Sequence, residues 1–405
     1  MLYLYGLLFL FAPLYVWRFE IAGLPTNFLM VYAIALVVLF GLRTLVKGEI
    51  IEVWKSFLTI PRFLLWSIGL LLVASIISLF VGGFDMAKLA QWLVLYVLPI
   101  KLGSELYYLL QKEPDRKHIV INFVYLFLLG TGVVAISQYF WLVGLPMDFW
   151  GNSEEPKRAI GLFSHPNGLA LFITPLLAFL LPDLKLRVEL LIDEVKEQNI
   201  GWGFFGVLSW VFGSVALLLS LSRGGWLGLI IAVGVFVFFA GGKKIRFVAL
   251  VAALILTMTV AAVPNLRYRV ILPFMGEKSS VARFSLWETG TKMIKDSPIL
   301  GQGIYGFNYN WEKFNTDPNL EHYNFPHNFV LNFWVDLGIL GLLSWLAIVG
   351  WGIWRGFINR SKKYALALAL FLLAILAHGL IDIPYLKNDL AMVFWLIFAL
   401  SLTRE

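Results

Sequence analysis

The chain has 405 residues, of which 60% are apolar and only 14% are charged. Soluble domains carry roughly 25% charged residues, so this composition excludes an ordinary soluble globular protein. The chain contains no cysteine, which excludes disulfides, thiolate catalysis and cysteine-ligated metal sites.

Apolar segments long enough to cross the ~30 Å hydrocarbon core of a bilayer recur along the whole chain. They predict an all-α polytopic membrane protein with about twelve transmembrane helices. The first segment lacks a basic leader and a small-residue cleavage site, so we interpret it as a retained span and not as a signal peptide. The predicted spans are 1–17, 27–43, 63–81, 89–110, 119–146, 166–182, 202–221, 225–240, 247–263, 329–354, 365–381 and 389–403.

The net charge of +7 would suit a polyanionic partner, but membrane topology also explains it. With the N-terminus inside, most Lys and Arg residues fall in predicted cytoplasmic segments. One such loop holds Arg43, Lys47, Lys55 and Arg62. This is the positive-inside bias of membrane proteins, so no nucleic-acid partner is needed.

Two connections between the predicted spans are long. Residues 182–201 are mixed and charged, which predicts an amphipathic helix lying along the cytoplasmic surface. Residues 264–328, between spans nine and ten, form a long outer loop rich in aromatic residues, which is typical of a functional loop and not of a disordered one.

The long loop has its own predicted structure. Ser279 and Ser280 resemble a helix N-cap, and apolar spacing predicts an amphipathic helix from there to Asp296. Gly301-Gln302-Gly303 then predicts a flexible turn. The pattern GxGxxG occurs here, but no strand precedes it, so it does not indicate a dinucleotide site.

Two arginines stand out at the outer surface. Arg223 is the only charge between Gly201 and Gly242, and the chain must turn beside it. Arg283 is expected in the first turn of the loop helix, where its charge opposes the helix dipole unless an anion binds there. Each could instead be structural, Arg223 as a snorkelling helix anchor and Arg283 as an exposed or paired residue.

His327 and Asn328 stand at the mouth of an apolar helix. Gly338 follows His327 by eleven positions, about three helical turns, so we expect the two on one helix face. A titratable imidazole at a membrane surface suits proton transfer. The alternative is a histidine that caps the helix.

Neither a metal nor a cofactor is predicted, because no acidic or histidine cluster occurs on the predicted outer side. The pattern G-x-S-x-G is absent as well. What remains is a set of arginines and one histidine among aromatic residues. Arginine grips a diphosphate through bidentate contacts, and aromatic rings suit sugar faces.

Several segments resemble the superfamily of bacterial O-antigen ligases and polysaccharide polymerases, over most of residues 158–400. The segments are RAIGLFSHPNGLA (158–170), SLSRGGWLG (220–228), RFSLWETGTKMIKDSPILGQGIYGF (283–307), PHNFVLNFWVDLGILG (326–341) and HGLIDIPYLKNDLAMVFWLIFAL (378–400).

The resemblance implies a glycosyltransferase of the bacterial inner membrane whose active site faces the periplasm. It implies transfer of a glycan from undecaprenyl diphosphate to a sugar hydroxyl of lipid A-core, without a metal and with inversion. By this likeness Arg223 and Arg283 would hold the donor diphosphate and His327 would activate the acceptor hydroxyl. Arg158 and Asn328 are further candidates for substrate binding.

Three alternatives remain open. A polymerase of the same superfamily would use another diphosphate-linked glycan as its acceptor. A second alternative is a superfamily member that glycosylates proteins or links exopolysaccharide. A flippase or transporter of lipid-linked glycans would carry ionisable residues at mid-membrane depth and internal repeats. The charged candidates lie at one surface, which favours an enzyme.

Overall fold

The computed structural model of the protein describes all residues except 153–154, 241, 265–266, 268–277, 319 and 404–405. Residues 268–277 of the predicted outer loop therefore lie outside the described part. The chain divides into two compact units. Unit 1 comprises Met1–Val124, Ser285–Phe357 and Gly379–Glu405, and unit 2 comprises Tyr125–Phe284 and Ile358–His378.

The described regular structure is helical apart from one antiparallel hairpin, β1 (Arg18–Ile21) and β2 (Leu24–Asn27), in which Arg18 pairs with Asn27. A π-helical turn, Leu93–Val97, interrupts α5. Short 3-10 helices occupy Ala12–Val16, Pro114–Arg116 and Met147–Phe149. The α-helices are α1 (Leu2–Phe11), α2 (Phe28–Val46), α3 (Ile50–Leu58), α4 (Arg62–Phe80), α5 (Met86–Lys112), α6 (Lys117–Trp141), α7 (Pro166–Lys196), α8 (Trp202–Leu219), α9 (Arg223–Ala240), α10 (Lys243–Ala262), α11 (Lys278–Asp296), α12 (Gly306–Tyr309), α13 (Trp311–Phe314), α14 (Phe329–Ile358), α15 (Lys363–Gly379) and α16 (Asn388–Leu402).

The helices confirm a polytopic, essentially all-α membrane protein. Among the described residues, seven helices are long and apolar enough to cross a membrane, and shorter apolar helices accompany them. Each predicted span overlaps one of the helices. The number of twelve crossings stays a prediction, because several of the overlapping helices are short.

The predicted surface helix over 182–201 is wrong as a separate element. Helix α7 runs without interruption to Lys196, although it contains Pro175 and Pro182. Asp183, just after the second proline, is buried and accepts hydrogen bonds from Lys363 Nζ (2.8 Å) and Arg187 Nε (3.1 Å). A buried carboxylate requires such partners, so this cluster fixes α7 inside unit 2.

Small residues bring α8 close to α7 in unit 2. Gly203, Gly206, Ser209 and Gly213 are all buried and recur along one face of α8. A Cβ atom on Gly203 would overlap the backbone of α7. Spacing of this kind lets two membrane helices approach closely, because no side chain separates their backbones.

In unit 1, the predicted continuous helix carrying His327 and Gly338 on one face is wrong. Helix α14 begins only at Phe329, after His327. At Gly338 the backbone leaves helical geometry (φ 67°, ψ −172°) and the helix is broken into two parts. The carbonyl groups of the preceding turn therefore lose their helical donors.

The loop after α11 fills this break. Gln302 N donates to Val335 O (2.6 Å), and Ser78 Oγ of α4 donates to Asp336 O (2.5 Å). Ile304 N in turn donates to Ser78 O (3.2 Å). The turn predicted to be flexible at Gly301-Gln302-Gly303 is thus a packed wedge whose glycines have positive φ.

Replacing Gly338 by alanine is expected to destabilise the protein. The new Cβ would overlap the Ile299 carbonyl, and the positive φ would be strained, for a combined cost of about 3 kcal/mol or more. Gly350→Ala is the matched control, because that glycine lies in the same helix with nothing within 4 Å of a Cβ. Thermal unfolding of the detergent-purified variants measures the effect, and equal melting temperatures for the two variants would contradict the packed break.

Candidate functional site

His327 lies in unit 1 at the entrance to α14, in an unusual backbone conformation. Its φ is +48°, in the left-handed region that few residues other than glycine adopt. Such strain persists only where surrounding contacts hold it, and it is concentrated at functional sites. The contacts that hold His327 are therefore the first feature of the site.

The principal contact is an ion-pair-like hydrogen bond to Asp382. His327 Nδ1 lies 2.9 Å from Asp382 Oδ1, across 55 residues of sequence. The side chain of Asp382 is only 3% exposed, whereas that of His327 is 26% exposed. Asp382 lies in the connection between α15 and α16, and its Oδ1 also accepts from Ile383 N (2.9 Å).

This pairing assigns the roles of the two ring nitrogens. A carboxylate accepts, so Nδ1 carries the proton and Nε2 presents its lone pair. Among the described residues none hydrogen-bonds Nε2. A half-exposed imidazole oriented by a buried carboxylate is the arrangement of a general base.

Asn328 holds the same connection in place. Its Nδ2 donates to Leu380 O (2.9 Å), and its Oδ1 accepts from Leu331 N (3.1 Å) as the N-cap of α14. Consecutive residues thus contact the segment 380–383, Asn328 through its amide and His327 through its imidazole. Substrate binding by Asn328 stays a prediction, and the observed contacts are those of a positioning residue.

Aromatic side chains surround this end of unit 1. Tyr323 meets the His327 ring edge-on (centroids 5.8 Å apart), and Tyr305 meets both Tyr309 and Phe325 at similar distances. Burial and a hydrogen bond to Asp85 raise the pKa of Tyr309 to about 12. The hydroxyl therefore stays neutral, and rings with neutral hydroxyls are suited to sugars.

Helix α11 packs against the segment that carries His327. Gly290 of α11 faces Pro326 and Leu331 at ordinary van der Waals distances. A buried cluster joins α11 to α14, α12 and α13. Its members are Leu286, Met293, Ile294, Phe307, Trp311 and Val335. The predicted helix ending at Asp296 is therefore confirmed, and it forms part of the core that positions His327.

In unit 2, Arg158 is joined to the turn that precedes Arg223. Arg158 Nε donates to Ser220 O (2.9 Å), and one of its terminal nitrogens donates to Asn167 Oδ1 (3.0 Å). The backbone is joined as well, since Ala159 N donates to Leu219 O (2.9 Å). These acceptors are neutral oxygens, and the hydrogen bonds to them fix the orientation of the guanidinium.

The two predicted diphosphate-binding arginines lie on different helices. Arg223 is the first residue of α9 and is half-buried, so its charge lies in the first helical turn. Arg283 is also half-buried, but it is the sixth residue of α11. The expectation that Arg283 lies in the first turn is therefore wrong, and the helix-dipole argument now applies to Arg223 instead.

The structure thus groups some of the predicted residues and leaves others apart. His327 and Asn328 lie in one site in unit 1. In unit 2, Arg158 donates a hydrogen bond to the turn that precedes Arg223. Sequence reasoning missed Asp382. The available signal was a single acidic residue in the short polar connection between the last two predicted spans, within the family-like segment 378–400.

Comparison with known proteins agrees with these motifs. Residues 208–346 match the family model described as O-antigen ligase. The match includes Arg223, Arg283, His327 and Asn328, whereas Arg158 and Asp382 lie outside it.

A curated relative gives a weaker likeness. The chain is 26% identical over 170 residues to an uncharacterized protein of Haemophilus influenzae, an alignment covering 35% of this chain and 42% of the relative. The chain thus matches less than half the length of that relative. The resemblance predicted from the sequence motifs is confirmed by the first comparison, in which residues 208–346 match the O-antigen ligase family model.

Proposed function

We propose that the protein is a membrane glycosyltransferase that moves a glycan from undecaprenyl diphosphate to a sugar hydroxyl of lipid A-core. The single observation that carries this proposal is the His327–Asp382 pair. It supplies the one group that the reaction needs from the protein at the acceptor, a base held in a fixed orientation. The O-antigen ligase domain over 208–346 supports the same donor and acceptor classes.

The proposed step is a displacement at the anomeric carbon of the donor sugar. His327 Nε2 takes the proton of the acceptor hydroxyl as its oxygen forms the new glycosidic bond. The bond between the anomeric carbon and the diphosphate oxygen breaks, and undecaprenyl diphosphate leaves with the electron pair. Attack from the side opposite the leaving group inverts the anomeric centre.

Asp382 contributes by stabilising the imidazolium that forms. Its buried carboxylate is 2.9 Å from Nδ1, so the positive charge that develops on the ring meets a fixed negative partner. The carboxylate also prevents the ring from turning its protonated nitrogen toward the acceptor. Triads of the serine hydrolases use the same division of work between base and carboxylate.

We assign the donor diphosphate to Arg223 and Arg283, with Arg158 as the residue that holds the turn before Arg223. Charge develops on the leaving diphosphate, and preorganised guanidinium groups stabilise it without a metal. The active face is proposed to be periplasmic and the membrane the bacterial inner membrane, since lipid-linked glycans of this class are used there. The long segment 264–328 would then lie on that side.

Loss of the carboxylate partner should reduce transfer almost as much as loss of the base. We expect Asp382→Asn and His327→Ala each to lower kcat by about 10²–10⁴-fold, and the double variant to be little worse than His327→Ala. The assay uses the full chain in proteoliposomes with undecaprenyl-diphosphate-linked glycan and lipid A-core. Omitting lipid A-core distinguishes the ligase from the polymerase, because only a polymerase forms longer glycans without it.

His118→Ala is the control for this pair, because His118 also has its Nδ1 2.8 Å from an oxygen, the Asp115 carbonyl, but pairs with no carboxylate in the described part of the chain. It should transfer glycan at the wild-type rate. Normal transfer by His327→Ala would reduce His327 to a helix-entry residue.

Lysine should not replace either proposed diphosphate-binding arginine. Arg223→Lys and Arg283→Lys keep the charge but lose the planar fork, so we expect each to impair donor use roughly tenfold or more. The two losses should be non-additive, because both residues would contact one ligand. Arg246→Lys on α10 is the control, since its guanidinium donates to the Phe238 carbonyl. Unchanged donor kinetics in both test variants would mean that the arginines only anchor helix ends.

Transfer is expected to survive chelation of divalent cations. In the proposed reaction the guanidinium groups take the role that Mg²⁺ has in many diphosphate enzymes. The measurement is the rate in proteoliposomes with and without excess EDTA, after the acceptor has been dialysed into each buffer. A rate that falls with EDTA and returns with Mg²⁺ or Mn²⁺ would refute the arginine-based mechanism.

A further inference from the structure

Helix α3 of unit 1 has an exposed apolar stripe along one side. The helix links α2 to α4, and none of its residues is buried. Ile50, Ile51, Trp54 and Leu58 fall on one side of it, and Trp54 is 63% exposed. A short helix with a strongly apolar face between two candidate membrane-spanning helices is suited to lie in the plane of the bilayer interface.

The polar side of α3 is tied to the rest of unit 1. Glu52 forms an ion pair with Lys112 Nζ (2.6 Å). Glu49, just before the helix, forms ion pairs with both Lys112 (3.0 Å) and Arg43 (3.2 Å). Thr59 Oγ1 lies 2.9 Å from Tyr107 Oη of α5. The helix is therefore held with its apolar stripe outward.

The charges around α3 leave an excess of positive charge. The two local carboxylates are paired as described, and hydrogen bonds from Lys112 lower the pKa of each, so both are ionised. Lys47, Lys55 and Arg62 are exposed, and among the residues that the structure describes no carboxylate pairs with them. We refer to these three residues as the basic rim.

Phe57 and Ile60, which lie between Lys55 and Arg62 in the sequence, line a groove. The groove is shallow and open on one side, with about 30 Å³ accessible to a water-sized molecule, and its walls are almost entirely apolar. They come from α3, α4, α5 and α16. Representative lining residues are Phe57, Ile60, Leu64, Tyr107, Trp395 and Phe398.

The groove lies at the end of unit 1 opposite His327. Helix α4 passes from Arg62 at the rim to Ser78, which contacts the break in α14. Helix α16 likewise starts after the Asp382 connection, and its second half, Trp395 to Leu402, lines the groove. This site is thus separate from the proposed base and does not depend on the proposed function.

We propose that the groove and the basic rim together bind an anionic phospholipid of the surrounding bilayer. One acyl chain lies along the groove, and the phosphate of the head group faces Lys55 and Arg62. The apolar walls match a hydrocarbon chain, and the positive charges that flank Phe57 and Ile60 in the sequence select an anionic head group over a zwitterionic one.

The test uses the full chain in nanodiscs of phosphatidylcholine that contain a small fraction of brominated lipid. Bromine on an acyl chain quenches tryptophan on contact, and Trp395 and Trp54 lie at the groove and on the stripe. At equal mole fraction, brominated phosphatidylglycerol should quench wild-type protein at least about threefold more than brominated phosphatidylcholine. Equal quenching by the two lipids would overturn the proposal.

Variants separate the two parts of the site. Lys55→Glu combined with Arg62→Glu should abolish the preference for phosphatidylglycerol, whereas Lys362→Glu, an exposed charge in unit 2, should leave it intact. Ser104→Phe, which fills the groove from α5, should lower quenching by the anionic lipid at unchanged melting temperature.

Each of the opposite results counts against the site. A preference that persists in the charge-reversed variant would rule out the rim, and unchanged quenching in Ser104→Phe would rule out the groove. Mass spectrometry of lipid retained by the purified protein adds a third outcome. A polyprenyl lipid or a neutral lipid in place of phosphatidylglycerol would refute the anionic assignment.

Discussion

The break of α14 at Gly338 is the constraint on which the outer part of unit 1 depends. Within hydrocarbon, an unsatisfied backbone carbonyl costs several kcal/mol, so irregular backbone in a span must find donors inside the protein. The donors here are Gln302 N and the Ser78 hydroxyl. The loop that supplies one of them also connects α11 to α12, so satisfying the break sets the position of both helices and of the aromatic residues they carry.

The strained backbone at His327 follows from the same arrangement. A left-handed conformation at a residue other than glycine costs about 1–3 kcal/mol, and the surrounding contacts must offset it. Two contacts do so: the imidazole contacts Asp382, and Asn328 Nδ2 donates to Leu380 O in the connection that carries Asp382. A buried carboxylate would itself be unstable without donors. Asp382 therefore holds the strained His327, and His327 gives the buried carboxylate one of its donors. The other ring nitrogen, Nε2, stays available to accept a proton.

Buried and exposed charged residues have different roles in this protein. Asp183, buried within unit 2, has Lys363, Arg187 and Tyr125 as donors, as a buried charge requires. Around α3 the acidic residues are paired and the basic rim is exposed. Exposed cations beside an apolar stripe bind anionic surfaces well, whereas buried ones hold helices together.

The sequence by itself determined the positions of the membrane helices, because a run of apolar residues can be stable in a bilayer only as a helix of the required length. It also determined the loop helix that ends at Asp296, through its apolar spacing. The likeness to O-antigen ligases could be seen in the sequence too, because it is carried by short motifs of consecutive residues. These are properties of consecutive residues, and no distant partner is needed to define them.

Only the tertiary structure decided the break at Gly338, the continuity of α7 and the pairing of His327 with Asp382. A glycine in an apolar sequence is compatible with a straight helix. The break becomes stable only because a distant loop donates hydrogen bonds to the carbonyl groups that it frees. A charged segment after Pro182 looks like a surface helix until Lys363 and Arg187 are seen to pair with Asp183. The dyad joins residues 55 positions apart, and its geometry exists only once the chain has brought two connections together, which no local pattern can specify.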